Sequence, residues 1–400
     1  MAVFTAANAN VAVNMFDLFA FETTFGTNTI DDIQVAPGIA LVSDFPPSTA
    51  VPVALVYSNN NDTEVFGKSG LTPVSGSFDK IEILIDGELR GTLSDITPGL
   101  GNFGEIELVQ AYNVLLGDDS ITGSDQSDVL YMGPGGTDTV DAKGGGDFIE
   151  MVATAFAPFH SIDGGAGIDW IDAGPNILTG DTVLDLRNAT LQSIEGFGIY
   201  DGATVRLLGS QIGAGVSSSA HVSDLGSGNG SLEVVLNAAG AANLSGLDVE
   251  ANLSVRIFGS TGADTITGSI VADAIRGEGG KDVLAGGAGG DTFEYLAVAD
   301  STKKKALRDT ITDFTKGDRI DLSGIDAVTK KKPGDQAFKF KKKEGAALKK
   351  AGDLVYDQID KKGTAQDKTV IYADVDGDHK ADMAIELKGI VDLGKSDFIL

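Results

Sequence analysis

Between residues 259 and 294 apolar side chains return at one position in nine: Ile266, Ile275, Leu284 and Phe293. Most of the positions around them are Gly, Asp, Ser, Thr or Ala. A period of nine fits neither a helix nor an amphipathic strand. Each unit divides into a six-residue turn, rich in Gly, Asp, Ser and Thr, and a three-residue strand with an apolar centre. A strand that short buries too little to stand alone. Stacking removes the difficulty, because the apolar centres of successive coils then form one continuous core. Two units, with two turns and two strands, close one coil of a solenoid.

The pattern carries more than apolar residues. Gly259, Gly268, Gly277 and Gly286 open the four units, and Asp264, Asp273, Asp282 and Asp291 stand two places before each apolar centre. Upstream, Asp119, Asp128, Asp138 and Asp147 follow one another at spacings of 9, 10 and 9, with Ile121, Leu130, Val140 and Ile149 at the same offset. The extra residue, near Met132, reads as an insertion in a turn. A single further copy surrounds Asp169, with Gly164, Gly165, Gly167 and Ile171 in phase. Between the blocks, alternating runs at Val183–Leu186, Thr204–Leu208, Leu232–Leu236 and Val255–Phe258 predict a solenoid that continues without metal-binding turns. Before residue 116 the stretch FDKIEILIDGELRGTLSDI predicts a hairpin around Asp86-Gly87, and VPVALVYSNNND adds a strand and turn. A small β domain there would cap the first coil, as a solenoid's apolar end requires. A ligand- or surface-binding module is the alternative reading of that segment.

Charge then explains the aspartates. Turns one coil apart stack at a strand spacing of roughly 4.8 Å, which places Asp264 over Asp282 and Asp273 over Asp291. Like charges that close repel, and a hard divalent cation reverses the sign. Calcium takes about 6–8 oxygen ligands, which carboxylates and turn carbonyls can supply. The whole chain leans the same way, with 58 acidic against 30 basic residues and a net charge of −28. Such self-repulsion opposes a compact state unless counter-ions bind, and it excludes nucleic acid as a partner. The imbalance sits in residues 1–300, with 40 acidic and 9 basic side chains, whereas residues 301–400 hold 18 and 21. Cysteine is absent, so thiolate metal sites and disulfides are excluded. The N-terminus lacks the basic start and apolar core of a cleavable signal peptide. No apolar run approaches the roughly 18 residues of a membrane span.

These repeats resemble the RTX (repeats in toxin) family of hemolysin-type calcium-binding parallel β-rolls, whose unit is Gly-Gly-x-Gly-x-Asp-x-apolar-x. GGAGIDWID and GGAGGDTFE match every fixed position, GSTGADTIT departs at Ser260, and GSIVADAIR departs further, at Val271. The resemblance implies an all-β parallel β-roll or β-solenoid with β caps at both ends, holding about three to six calcium ions. The implied metal ligands are the carboxylates of Asp119, Asp128, Asp138, Asp147, Asp169, Asp264, Asp273, Asp282 and Asp291. With them come the turn positions Gly164, Ala166, Gly259, Thr261, Gly268, Gly277, Gly279, Gly286 and Ala288. Residues 300–400 resemble the serralysin C-terminal region through RDTITDFTKGDRIDLSGIDA and TVIYADVDGDHKADMAIELKGIVDLGKSDFIL. That resemblance implies a cap containing an uncleaved export signal for the type I secretion machinery, ending in Asp397, Phe398, Ile399 and Leu400. The lysine clusters at 303–305, 330–332, 341–343, 349–350 and 361–362 depart from that family's usual acidity. The stretch DVDGDHKAD half-resembles a calcium loop, but Ile385 stands where an EF-hand has Glu, so a hairpin turn is expected. The chain thus divides into 1–115, 116–180, 181–258, 259–295 and 296–400.

Catalytic motifs are missing. His160, His221 and His379 are far apart, and no His-Glu-x-x-His, nucleophile elbow or phosphate loop occurs. The expectation is a secreted or cell-surface protein, not an enzyme, that folds on calcium outside the cell and serves in a surface layer, matrix or adhesion. Its partners would be calcium, a cell-surface glycan or further copies of itself. The alternative is an enzyme whose catalytic part is residues 1–115, with the repeats as an export tail.

Overall fold

The computed structural model describes residues 120–400 apart from 124, 126, 133–135, 153–158, 175–181, 227, 330–333 and 363–365. In residues 1–119 it describes the backbones of the strands Val3–Ala6, Val35–Ala36, Ile39–Ala40, Val53–Ser58, Lys80–Ile85 and Glu88–Ser94. The fold is all-β, with parallel strands stacked as solenoid coils. Helical geometry among the described residues is confined to short 3-10 turns, so no helix there is long and apolar enough to cross a membrane. The chain forms two compact units, residues 1–205 with 215–217, and residues 206–214 with 218–400.

In the first unit two columns of short strands run in parallel. One stacks Ser120–Thr122, Thr139–Asp141, Ser161–Asp163 and Thr190–Gln192. The other stacks Val129–Tyr131, Phe148–Val152, Trp170–Gly174 and Ile194–Ile199. The register sets apolar centre on apolar centre: Ile121, Val140, Ile162 and Leu191 in one column, and Leu130, Ile149, Ile171 and Phe197 in the other. All eight are buried. The coil lengthens from 19 to 22 to 26 residues up the second column, yet the register never slips. A slip by one residue would turn every apolar centre outward, so the added residues go into turns. The two strands expected around Asp86-Gly87 pair antiparallel, Lys80–Ile85 with Glu88–Ser94, while Asp86 and Gly87 lie outside the described residues. Val3–Ala6 pairs with Glu88–Ser94 on one side and with Ser120–Thr122 on the other, so the N-terminal strands cover the exposed edge of the first coil.

The second unit repeats the plan. Val234, Ile257, Ile275, Phe293, Ile320 and Phe398 form one apolar column, and Ala242, Ile266, Leu284, Ile311 and Leu387 the other. The columns run past residue 295. Thr310–Ile311 and Arg319–Asp321 add another coil after a connection containing the 3-10 turn Lys305–Leu307. The stack then ends in an antiparallel meander of Met383–Lys388, Lys368–Asp374 and Asp353–Ile359. The DVDGDHKAD stretch is the hairpin turn between the first two of these, as the sequence predicts.

Stability of the second unit should follow the apolar columns and not the faces outside them. Ile275→Ala is expected to lower the unfolding free energy by about 3 kcal/mol. Thr265→Ala, at an exposed position on the neighbouring column, should change it by less than about 0.5 kcal/mol. Denaturant melts in saturating calcium check both.

Candidate metal centre

Each turn begins with a glycine for a reason visible at its far end. A Cβ built on Gly259, Gly268, Gly277 or Gly286 would lie 3.0, 2.4, 2.5 or 2.1 Å from Oδ2 of that turn's own aspartate, Asp264, Asp273, Asp282 or Asp291. Gly164 stands in the same relation to Asp169, at 2.9 Å. The missing side chain is the space into which the carboxylate folds back. Carbonyls enter the same space from the next coil: Gly277 O would lie 2.4 Å from a Cβ at 259, and Gly286 O 2.2 Å from one at 268. In the turns that open at 277 and 286, position four needs glycine for its backbone, with φ of 137° at Gly280 and 125° at Gly289, a region L side chains avoid.

The aspartates are bound into ladders. The backbone N–H of each donates to Oδ1 of the aspartate one coil on: Asp128 to Asp147 at 2.7 Å, Asp147 to Asp169 at 2.8 Å, Asp264 to Asp282 at 2.8 Å and Asp273 to Asp291 at 3.0 Å. The expected stacking of Asp264 with Asp282 and of Asp273 with Asp291 is what the structure shows. Both ladders continue beyond the repeats, with Asp282 donating to Asp309 at 2.9 Å and Asp291 to Asp318 at 3.0 Å. Sequence reading missed Asp309 and Asp318. Their signal was present, because Ile311 and Ile320 follow them at the repeat's own offset. It was hidden by a coil of 27 residues in place of 18. The first unit's ladder ends on Glu195, which accepts from Asp169 N at 3.0 Å.

One oxygen of each pair is thus spent on the backbone. The other is often left without a partner: Oδ2 of Asp147, Asp169, Asp282 and Asp309 is buried and unpaired. A buried unpaired carboxylate oxygen is costly, and protonation responds. Burial, ahead of all other causes, pushes Asp147, Asp273 and Asp282 up to about 7, Asp291 to about 6 and Asp309 to about 8, and raises Asp169. Neighbouring carboxylates add to the effect, Asp282 and Asp300 on Asp309 among them. The buried phenol of Tyr295 is raised well above its ordinary value by burial and by Asp309, Asp282 and Asp300.

Two turns relieve this strain internally. Ser260 N–H donates to Asp264 Oδ2 at 2.6 Å, and Ser269 N–H to Asp273 Oδ2 at 2.7 Å, each helped by the serine hydroxyl. These are the units that depart from the repeat at Ser260 and Val271. A different substitution closes the remaining row. His160 occupies an aspartate's place two residues before Ile162, and its Nδ1 accepts from Asp138 N–H at 3.0 Å. Burial lowers His160 to about 4, so it stands there as a neutral acceptor. That row includes Asp119 in the sequence pattern, but Asp119 lies outside the described residues.

The remaining sequence-derived positions fall on the turns. Gly164, Gly259, Gly268, Gly277 and Gly286 are buried beside their aspartates, Gly279 is half-buried, and Ala166, Thr261 and Ala288 are exposed on the turn crests. Turn stacks on turn, with Ala166 N–H donating to Lys143 O at 2.9 Å and Ala288 N–H to Ser269 O at 3.4 Å. The donor set is entirely oxygen, anionic or carbonyl, with unmet lone pairs inside a glycine-lined cradle. That set fits a hard divalent cation such as calcium. Elsewhere, Asp374, Asp376 and Asp382 bring one ligand oxygen each within 4.8 Å of one another. Their carboxylates are engaged in shaping the hairpin turn, since Asp374 accepts from Gly377 and His379 N–H, and Asp382 from Val375 and Asp376 N–H. Asp397 closes the 3-10 turn Lys395–Asp397 that precedes the last strand: its Oδ2 accepts from Gly394 N–H at 2.8 Å, and Phe398–Ile399 pairs parallel with Arg319–Asp321. Phe398 is buried against Phe340, with ring centroids 4.7 Å apart, and Leu400 is half-buried.

Residues 242–400 match the sequence profile of the family described as peptidase M10 serralysin C terminal. The matched part is the C-terminal region of that peptidase family and not its catalytic part. The serralysin and RTX resemblance drawn from the repeats and from RDTITDFTKGDRIDLSGIDA is borne out over this region. No curated protein matches the chain.

Two outcomes follow from this geometry. A methyl group at position 286 must displace Asp291, so Gly286→Ala should weaken calcium binding at least about tenfold, a change of about 1.4 kcal/mol, as read by calorimetric titration. The carboxyls with raised pKa are ordinarily near 4 when unfolded. Their contribution to the metal-free fold is therefore complete in acid and lost as pH rises through about 6 to 8. In chelator, the melting temperature should fall between pH 5.5 and 8.5; in excess calcium it should not, because binding requires the deprotonated form.

Proposed function

We propose that this chain is a secreted calcium-binding protein of RTX type, folding on calcium outside the cell and acting as a structural, cell-surface or adhesive protein. The observation that carries the reading is the row of buried aspartates: in four of them, Asp147, Asp169, Asp282 and Asp309, one oxygen is tied to a neighbouring coil and the other is without a partner. The ligands would come from Asp264, Asp273, Asp282 and Asp291 with the carbonyls of their turns, joined by Asp309 and Asp318, and from Asp128, Asp138, Asp147 and Asp169 in the first unit. Calcium supplies the divalent charge that offsets neighbouring carboxylates.

The residues of the chain do the rest. In the formed coils the amide ladder holds each Oδ1 in place, and the opening glycines leave Oδ2 facing the turn above. With no cation and the carboxyls ionised, the carboxylates repel and the strands, too short to stand alone, stay apart. At a calcium level 100 times the dissociation constant each site adds about 2.7 kcal/mol, so a few sites match the whole stability of an ordinary domain. An open chain in a calcium-poor cytosol suits export, and Asp397–Leu400 would then be presented as a signal. In the folded protein the same segment is a docked strand, so export and folding compete for it. The sheet faces left outside the columns offer surface for adhesion or lateral association.

The test is a calcium titration of chelator-treated protein followed by far-ultraviolet circular dichroism and light scattering. A gain of β signal at micromolar to millimolar calcium is expected, and it should need more calcium in Asp282→Asn. A spectrum indifferent to calcium would remove the basis of this reading. A rise in scattering after the β signal saturates would identify self-association.

A further inference from the structure

The strands Phe148–Val152, Trp170–Gly174 and Ile194–Ile199 carry a cluster that the aspartate ladders do not use. Ile149 and Ile171 point into the core, so Phe148, Glu150, Trp170 and Asp172 face outward. The register sets Phe148 beside Trp170 and Glu150 beside Asp172. The two rings are stacked with centroids 6.4 Å apart and planes 27° from parallel. Trp170 also lies against Gly196 of the following coil, where a Cβ would come within 2.4 Å of the indole. Phe148 is 41% exposed. Next to this platform Asp172 is only 6% exposed, and its Oδ1 has no hydrogen-bond partner. Burial raises Glu150 to about 7 and Asp172 to about 6, and the phenol of Tyr200, itself partly exposed, is raised by burial and by both of them.

We propose that this face binds a neutral saccharide, with Phe148 and Trp170 stacking on the sugar ring and Asp172 and Glu150 accepting its hydroxyls. A flat aromatic pair matches the C–H face of a pyranose. An unmet, nearly buried acceptor calls for a donor, and a sugar hydroxyl supplies one without bringing charge. Anionic polysaccharides are disfavoured by the two carboxyls and by the net charge of −28. The inference deepens the adhesive reading given above by naming a site and a ligand class, and it rests on the coils being formed.

Trp170 is the chain's single tryptophan, so its emission reports on this site directly. The full chain in saturating calcium, its β signal checked by circular dichroism, is titrated with cellohexaose, xylohexaose and maltohexaose, and with polygalacturonate as the anionic control. A saturable change in emission with at least one neutral hexasaccharide is expected, weakened about tenfold or more in Phe148→Ala and in Asp172→Asn. Phe148 is exposed, so its replacement leaves the fold intact. Unchanged emission from a folded chain overturns the inference while the calcium reading stands. So does a response to polygalacturonate alone. Loss of a bound calcium in Asp172→Asn with sugar binding untouched would make the pair a cation site and overturn it as well. A chain that forms no coils in calcium overturns both readings.

Discussion

The structure depends on carboxylates buried without enough partners. Asp147, Asp169, Asp282 and Asp309 each give one oxygen to the backbone of a neighbouring coil and keep the other inside the protein unpaired. Hydrogen bonding to the coil fixes where the negative charge sits, and burial makes that charge expensive. The arrangement is tolerable with a proton or with a metal ion, and the all-oxygen surroundings favour a hard one. Solenoid stacking, glycine placement and the acidity of the chain all follow from this constraint.

The turns are not equivalent, and the differences trace to single residues. Serine at positions 260 and 269 closes its own turn onto Asp264 and Asp273. His160 replaces a charge with a neutral acceptor. These substitutions satisfy lone pairs within the protein, so the cation's share of the stabilisation should be greatest where they are absent, at Asp147, Asp169, Asp282 and Asp309. Asp300 and Tyr295, drawn in beside Asp309, extend the same buried acidity to the last coil.

Much of this was legible in the sequence because the repeat is a physical period. The offset of Asp264 to Ile266 fixes which side chain enters the core, and the spacing to Asp282 fixes what stacks on it. Where the period stretched, legibility failed. Asp309 and Asp318 stand 27 residues from their partners, and Glu195 and His160 serve in ladders where only aspartate was sought. A ladder needs an acceptor at a given height, not a given residue, and the sequence pattern records only the commonest choice. The outward cluster of Phe148, Glu150, Trp170 and Asp172 was invisible for another reason, since its members meet only across coils whose length varies.

The most direct test of the central claim is to count protons released when calcium binds, by calorimetry at pH 7 in buffers of different ionisation enthalpy. Carboxyls raised to about 6 to 8 by burial should surrender protons as the ion enters. A clear net release, falling away above pH 8.5, is the predicted result. Calcium binding with no proton release at pH 7 would contradict the account, because the aspartates would then not be the strained groups on which it rests.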